Sequence, residues 1–393
     1  MTSRLVDPIS RNELQRRWAL AQQVMQTQQL DVLVIQNSNN HMGGYVRWFT
    51  GMPALYGYPR AVLFFGVRDM IVIEQGARGG DRTPDQSDDS MFGVTRYLTS
   101  SSFTTVSYTA DTDALIAARA IRERGTKRIG WINPAGAYFG FGKALEEHLS
   151  DHHFKDVTDL IDESKAIKSA EEQVLLRRTA ALQDQVIADV AGFLKPGLQD
   201  FEVAAFAQYR AQALGSEQGI FLGSSNCSGK AAVFLPRYAQ GREIGAGDVF
   251  SLLVEVNGPG GLYTEIARTY SLGKPSDALI EANHNAVAAQ AHTLAMLRPG
   301  TPCADIYARH NAYMIGRGLP PEDRLYAHGQ GYEMVERPLI RDDETMIVRE
   351  GMNFAVHPGY VCPEAFAVVC DNYLIEAAGP SALHKTAKSI IQI

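Results

Sequence analysis

Two glutamates flank a glycine-rich turn within one apolar stretch of the chain. Glu255 and Glu265 lie on either side of the sequence NGPGG, which is typical of a turn joining two antiparallel strands. Side chains alternate along a strand, so Glu255 is expected to point away from the side that Val254 and Val256 occupy. Two carboxylates on facing strands can meet in one cleft and transfer protons there. The alternative is a pair of exposed strand glutamates without a chemical role.

A histidine between glycines supplies the second candidate. His328 stands in the sequence AHGQG, and the glycines at 329 and 331 permit a close approach of the backbone. Glu336 and Arg337 follow shortly afterwards, just before a proline. An imidazole with a pKa of about 6.5 can transfer protons at neutral pH. The competing interpretation is a structural histidine in a loop.

A third segment near the end of the chain combines another histidine with a thiol and a carboxylate. His357 follows an apolar strand and leads into Pro-Gly, while Cys370 and Asp371 open the apparent final strand. A buried imidazole that is simply hydrogen-bonded remains the alternative for His357. The three segments together form the predicted site.

The elements before residue 163 alternate between strands and helices. A helix is predicted over 12–28, and the short apolar runs DVLVIQ, AVLFFG, MIVIEQ and RIGWIN are typical of strands. Such alternation favours an α/β domain, which we place at 1–162. The stretch 76–90 is rich in Gly, Asp and Ser and is interpreted as a surface loop.

A long amphipathic helix with a capping box at Ser169 and Glu172 opens the second domain, placed at 163–393. This domain contains a weak internal repeat, because residues 193–215 and 296–318 both combine a basic-Pro-Gly turn with a helix that ends near Gly. Helices precede and strands follow each copy. The pattern indicates two related halves that share a sheet, although chance remains an alternative for so common a turn.

The amino-acid composition narrows the classes of function that we expect. Thirty-seven Lys and Arg residues against 44 Asp and Glu give a net charge of −7, so a nucleic-acid partner is not expected. The four cysteines form no CxxC pair, which favours reduced thiols. The first residues show no secretion signal, and the apolar runs are shorter than a membrane span. We therefore expect a cytoplasmic protein that acts on a small molecule, away from membranes.

These features in this order resemble the pita-bread hydrolases, the family of methionine aminopeptidase, aminopeptidase P, prolidase and creatinase. The resemblance spans the whole chain and rests on the successive motifs IKSAEE, KPG, GLYTEIARTY, HGQG, HPG and CDNYLI, with a GD turn at Gly247 and Asp248. It implies an α/β N-terminal domain followed by an α+β pita-bread catalytic domain with pseudo-twofold ααβ halves.

The metallopeptidases of this family bind two divalent ions through two Asp, one His and two Glu. The matching positions here carry Val254 (or Glu255, if one residue is deleted), Glu265, His328, His357 and Cys370. Only the histidine keeps its ligand type, and a dinuclear site needs ions about 3.5–4 Å apart. The resemblance therefore implies a site without a dinuclear centre and without another cofactor. The alternative is a single Zn, Fe or Mn ion bound by Glu255, Glu265, His328 and His357.

Loss of the metal ligands with retention of the fold is similar to creatinase, a metal-free amidinohydrolase. In that branch, the N-terminal domain of one subunit lends an arginine to the active site of its dimer partner. The matching sequence ALYGYPRAVLFF implies Arg60 and Tyr58 in that role, and a homodimer with the active site at the subunit interface. The general-base histidine of creatinase has no counterpart, because no histidine occurs between His153 and His284.

We therefore expect a creatinase-like hydrolase that cleaves a C–N bond of a small nitrogen-containing carboxylate. The predicted catalytic residues are His328, Glu265, His357 and Glu336. The predicted substrate-binding residues are Arg60, Tyr58, Arg337, Glu255 and Asp371. The alternatives are a single-metal Xaa-Pro dipeptidase-like hydrolase or lyase of the same fold, and a non-catalytic pseudo-peptidase that binds a ligand.

Overall fold

The computed structural model describes residues 8–37, 44–53 and 58–393, which divide into two compact units on either side of residue 165. The first unit ends with helix α5 (Thr158–Lys165), three residues beyond the domain boundary placed at 162. Its elements before α5 are α1 (Arg11–Gln28), β1 (Val32–Gln36), α2 (Gly44–Thr50), β2 (Arg60–Gly66), β3 (Asp69–Gln75), β4 (Gly80–Arg82), β5 (Val94–Ser100), α3 (Thr112–Glu123), β6 (Arg128–Ile132), α4 (Phe139–His148) and β7 (His153–Asp156).

The first unit is built on a mixed sheet in the order β4-β5-β3-β2-β1-β6-β7. Its interior strand β1 is buried along its whole length, as an unbroken apolar run predicts. Helices α3 and α4 place Ala117, Ile121 and Leu145 in the same core as the strand residues Val34 and Leu63. Each apolar run interpreted as a strand forms one, so the unit is α/β.

The segment 76–90, which we interpreted as a loop, contains a short strand. β4 pairs antiparallel with β5, and Arg96 on β5 holds Asp81 on β4 at 2.8 Å. The Gly-rich composition of the segment suits this arrangement, because a side chain at Gly80 would meet the Thr99 hydroxyl oxygen at 2.1 Å. The prediction of a plain loop is therefore wrong at its centre.

The second unit contains two helix pairs, each followed by strands. Its elements are α6 (Ala170–Phe193), α7 (Asp200–Ala213), β8 (Gly219–Asn226), β9 (Val249–Asn257), β10 (Tyr263–Ser271), α8 (Asp277–Met296), α9 (Cys303–Gly316), β11 (Ala327–Gly329), β12 (Glu336–Leu339), β13 (Asn353–Val356), β14 (Gly359–Cys362), β15 (Ala365–Val368), β16 (Asp371–Glu376), β17 (Gly379–Ala382) and β18 (Ile391–Gln392). Ser169 and Glu172 form the predicted capping box at the start of α6, with both reciprocal hydrogen bonds present.

Two sheets form the centre of the second unit, in the orders β18-β10-β9-β8 and β12-β11-β13-β16-β17, and β14 and β15 form a separate hairpin. The sheets meet where Ala267 on β10 and Cys370, just before β16, exchange backbone hydrogen bonds of 3.2 and 3.5 Å. Strands from the two halves are thus joined edge to edge. The predicted fold class, an α/β domain followed by an α+β pita-bread domain, is confirmed.

Helix α6 fixes which face of β9 is available for chemistry. Its residues Val186 and Val190 share a core with Leu252, Val254 and Val256. Because strand side chains alternate, Glu255 is directed to the opposite face of the sheet, as predicted. Across the described residues, no helix is both long enough and apolar enough to cross a membrane.

Candidate functional site

The two predicted carboxylates stand directly opposite each other on neighbouring strands. In the antiparallel pairing of β9 and β10, Glu255 is the partner of Glu265, and the two strands are joined through Pro259–Gly261 at the turn. The register therefore places Glu255, and not Val254, opposite Glu265. Val254 lies in the core on the other face. The pairing favours Glu255 over Val254 as the residue at the site, and its match to the family's first ligand position stays a prediction.

Two imidazoles from the second half complete the cluster. His328 lies on β11, and its Nε2 is 3.9 Å from the Glu265 carboxylate Oε2. His357 follows β13, the antiparallel neighbour of β11, and its ring centroid is 5.2 Å from that of His328. The His328 Nδ1 is 2.9 Å from the Gly329 carbonyl oxygen. A carbonyl can only accept, so Nδ1 carries the proton and Nε2 presents its lone pair towards Glu265.

Both carboxyl groups hold their protons more strongly than an exposed glutamate does. Burial raises the pKa of Glu255 well above 4.5, and the neighbouring Glu265 raises it further. Burial also raises the pKa of Glu265 to about 7, opposed by a hydrogen bond from Cys370 and by the positive charge of Arg324. Two like charges on facing strands disfavour joint ionisation. At neutral pH the pair therefore retains at least one proton.

The imidazoles are affected in the opposite direction. Burial lowers the pKa of His328 below 6.5, although the hydrogen bond to Gly329 and the charge of Glu336 oppose the change. Burial lowers the pKa of His357 well below 6.5, and the charges of His328 and Arg324 lower it further. The cluster thus combines imidazoles whose pKa values are lowered with carboxyl groups whose pKa values are raised. This separation of pKa values is characteristic of acid–base sites.

Three buried amides, which sequence reasoning missed, hold the carboxylate pair in place. The Gln330 Nε2 donates to Glu255 Oε1 at 2.8 Å, and the Asn372 Nδ2 donates to the Gln330 side-chain oxygen at 2.8 Å. The Asn372 side-chain oxygen accepts from the Glu265 backbone N–H, while Asn353 donates to the Gln330 carbonyl. The position of Gln330 between the two glycines after His328 was the only available signal.

Replacing Gln330 with methionine should destabilise the protein by about 1–3 kcal/mol, because Glu255 and Asn372 each lose a buried partner. Urea unfolding measures the change in free energy. Gln185→Met is the matched control, since Gln185 is exposed on α6 and donates to Asp189 on the same helix. Equal effects from the two substitutions would contradict the role assigned to the amide network.

The structure places the predicted residues Glu336 and Arg337 in ion pairs. Glu336 is 2.8 Å from the buried Lys168 Nζ and also accepts from the Glu333 backbone N–H. Arg337 is 2.5 Å from Glu344. A side chain at Gly331 would meet both Glu336 and Lys168 at 2.6 Å, which explains the glycine there. Catalysis by Glu336 and substrate binding by Arg337 remain predictions, and each now requires a group that is already paired.

Asp371 lies beside the cluster but points into a different set of contacts. Its carboxylate accepts from Arg268 Nη2 at 2.6 Å and from Gln290 Nε2 at 3.3 Å. The Arg268 guanidinium also donates to the carbonyls of Cys370, Thr386 and Ala387. The side chain of Asp371 is 3% exposed. Its arrangement favours a structural role over the predicted binding of substrate.

Arg60 and Tyr58 belong to the first unit, and part of their sequence segment, 54–57, lies outside the described residues. The Arg60 Nε is 2.6 Å from Glu74 on the adjacent strand, and its Nη1 donates to the Pro53 carbonyl. Tyr58 is partly exposed and packs edge-on against Phe103. Substrate binding by these two residues stays a prediction, which for Arg60 requires release of Glu74.

Comparison with known proteins identifies the family to which the second unit matches. The model for metallopeptidase family M24 matches residues 174–377, which is more than half of the chain. The chain belongs to family M24. It is 26% identical to the uncharacterized peptidase YqhT of Bacillus subtilis, over 70% of this chain and 77% of that protein. It is also 26% identical to an Xaa-Pro dipeptidase of Pyrococcus horikoshii, over 64% of this chain and 72% of the relative.

Solved structures of the same fold extend the match to the N-terminal unit. An Xaa-Pro dipeptidase from Bacillus anthracis superposes with a TM-score of 0.76 at 18% identity, covering 97% of this chain and all of that one. A prolidase from Thermococcus sibiricus gives a TM-score of 0.78 at 16% identity, covering 98% and 100%. This M24 chain thus has the fold of those enzymes along its length, and it is a hydrolase of that family.

The donor set of this M24 member fits one divalent ion. The ligand atoms of Glu265, His328 and His357 lie within 4.8 Å of one another. Two imidazoles and one carboxylate suit a single Zn²⁺ or Fe²⁺. A second ion requires bridging and further terminal ligands. Cys370 instead supplies a thiol whose pKa burial raises well above 9.0 and whose Sγ contacts the Glu265 carbonyl at 3.5 Å.

Proposed function

We propose that this protein is a creatinase-like hydrolase that cleaves a C–N bond in a small nitrogen-containing carboxylate without a dinuclear metal centre. One observation carries the proposal: two imidazoles and two facing carboxyl groups come together at positions where the full dinuclear ligand set of the family is not kept. Such a set can deliver and remove protons by itself. The absence of any cofactor, the homodimer and the cytoplasmic location are part of the same proposal.

The residues of the cluster have complementary tasks in this mechanism. The unprotonated Nε2 of His328 accepts a proton from water, whose oxygen attacks the carbon of the C–N bond. The new C–O bond forms, the C–N bond breaks, and a protonated carboxyl group of the Glu255–Glu265 pair protonates the leaving nitrogen. The proton on His328 then returns to the carboxylate 3.9 Å away. The His357 ring contacts the His328 imidazole. Lys168 pairs with Glu336, whose charge acts on His328.

Substitution of His328 by alanine should lower kcat/KM for C–N hydrolysis by about 10²–10⁴-fold, the usual contribution of a general base. The measurement is product formation from a panel of small N-substituted carboxylates. His284→Ala is the matched control, because His284 is an exposed residue of α8. Full turnover by the His328 variant together with the control would contradict the assignment.

A single-metal hydrolase or lyase is the second candidate, favoured by the convergence of Glu265, His328 and His357. A bound divalent ion would supply Lewis-acid activation of water. The curated Xaa-Pro dipeptidase relative makes a dipeptide the substrate class to test in this case. Elemental analysis of untagged protein distinguishes the two candidates. Stoichiometric Zn, Fe or Mn, with activity that a chelator removes, would establish the second and exclude the first.

A further inference from the structure

A cavity of about 330 Å³ lies in the second unit beside the hairpin of β14 and β15. Its walls are largely apolar and include Val233, Met314, Pro321, Val361 and Phe366. This volume lies at the lower end of the range for small-molecule sites, which are mostly apolar with a few polar groups. The charged groups of this cavity, including Arg324, come from the segment before β11. The cavity has the composition of a ligand subsite.

The cavity continues the sheet face that carries the two glutamates. Phe366, on its wall, packs against an apolar cluster that contains Leu253 and Ala267. Leu253 precedes Glu255 by two residues and Ala267 follows Glu265 by two, so all four side chains share one face of the sheet. At the other side, Gly359 and Tyr360 line the cavity shortly after His357. The cavity therefore borders the apolar cluster that shares a sheet face with the two glutamates.

Arg324 is the charged residue that links the cavity with the cluster electrostatically. It lines the cavity and lies four residues before His328, and its charge acts on both Glu265 and His357. Its Nε and Nη2 donate to the two oxygens of Glu322, at 2.9 and 2.7 Å. That pairing occupies one edge of the guanidinium and leaves Nη1 without a hydrogen bond to any described residue. The side chain is 54% exposed, so a ligand can reach it.

The two arginines predicted to bind the substrate, Arg60 and Arg337, are paired with other groups. Arg60 donates through Nε to Glu74 and through Nη1 to the Pro53 carbonyl. Arg337 donates through Nε and Nη2 to the two oxygens of Glu344. A guanidinium edge is a strong partner for a carboxylate. Arg324 is thus the arginine whose position and free edge suit a substrate at this cluster.

We propose that the cavity binds the apolar side chain of an N-acylated amino acid, whose carboxylate accepts a hydrogen bond from Arg324 Nη1. This assignment rests on the proposed function and names its substrate class. The amide nitrogen shares its Cα with the side chain and the carboxylate, so fixing those two groups directs the acyl C–N bond towards the cluster. Water adds its oxygen to the acyl carbon, the C–N bond breaks, and the nitrogen takes a proton to give a free amino acid and a carboxylic acid.

The test compares N-acetylglycine, N-acetyl-L-leucine and N-acetyl-L-phenylalanine as substrates and as ligands. Turnover is measured as release of free amine, and binding by calorimetry. We expect kcat/KM to rise about 100-fold from the glycine to the leucine derivative, as filling an apolar pocket does. Val361→Arg, at a cavity position that is 60% exposed, should bring this ratio close to one. Val174→Arg, at a 49% exposed position outside the cavity lining, should preserve it.

The outcomes separate this assignment from the proposed function. Binding that follows side-chain size and is lost in Val361→Arg, without any product, supports the cavity assignment and refutes the hydrolysis. Cleavage that ignores the side chain, or a ratio that survives Val361→Arg, refutes the cavity assignment and leaves the hydrolysis standing. Failure of all three probes to bind overturns both the cavity assignment and the substrate class. Arg324→Met should raise KM for the leucine derivative far more than it lowers kcat, and an unchanged KM would refute the role of Arg324.

Discussion

Glu265→Gln is expected to stabilise the protein at pH 8 while removing its activity. The folded state raises the pKa of Glu265 from 4.5 to about 7, so its stabilising contribution is complete below pH 4.5 and is lost as the pH rises through 7. A shift of this size corresponds to on the order of 3 kcal/mol. Glutamine keeps the shape without the charge, so the variant should escape the loss. The same change removes a proton donor and should lower kcat/KM by about 10²–10⁴-fold.

Urea unfolding of chelator-treated protein at pH 5 and pH 8 measures this effect. The wild type should lose stability between the two pH values, and Glu265→Gln should lose less. Glu350→Gln serves as the control, because Glu350 is exposed and should leave the pH dependence unchanged. A variant that is less stable than the wild type at pH 8 would show that the ionised Glu265 is stabilised in the folded protein, against the interpretation given above.

Arg268→Met is expected to cost about 3–5 kcal/mol of folding free energy, since it leaves the Asp371 carboxylate buried without its cation. The substitution also removes donors from the carbonyls of Thr386 and Ala387, which hold the final segment of the chain. Thermal or urea unfolding measures the loss. The effect should be far larger than that of a typical single substitution, which costs about 1 kcal/mol.

Two further variants show whether the lost stability comes from the Arg268–Asp371 ion pair or from the carbonyl contacts of Arg268. Combining Arg268→Met with Asp371→Leu also removes the buried Asp371 charge that would lack a partner, and it should recover a substantial part of the stability. Arg177→Met breaks the exposed pair with Glu376 and should cost less than about 1 kcal/mol. If the double variant were as unstable as Arg268→Met alone, the carbonyl contacts would account for the loss and the ion pair would not.

Local patterns in the sequence predicted much of the site because the relevant information is local. Alternation along β9 directs Glu255 away from the core, and the Gly-rich turn brings Glu265 back on the neighbouring strand. The glycines after His328 and the Pro-Gly after His357 marked the two histidines as candidates, and the family order of motifs then supported both. The exact partner of Glu265 depended on the strand register, which the length of the turn decides, and the sequence left two possibilities open for it.

Pairings between distant residues were beyond the reach of sequence reasoning. Asp371 and Arg268 are 103 positions apart, and Glu336 and Lys168 are 168 positions apart. No local spacing in the sequence therefore predicts either ion pair. Asp371 therefore looked available for a substrate when it is already neutralised. Arg324 was overlooked for a related reason, because its proximity to the cluster and to the cavity arises only from the fold.

The two halves of the second unit are joined at Ala267 and Cys370, and each half contributes a different kind of functional group to the site. The carboxyl groups come from the first half and the imidazoles from the second, so neither half carries a complete proton relay. A slip of one residue at a strand junction turns every side chain to the other face. Two backbone hydrogen bonds at this junction thus keep donors and acceptors of protons facing one another. An ancestor built from two identical halves would have needed to diverge before a relay of this mixed kind existed.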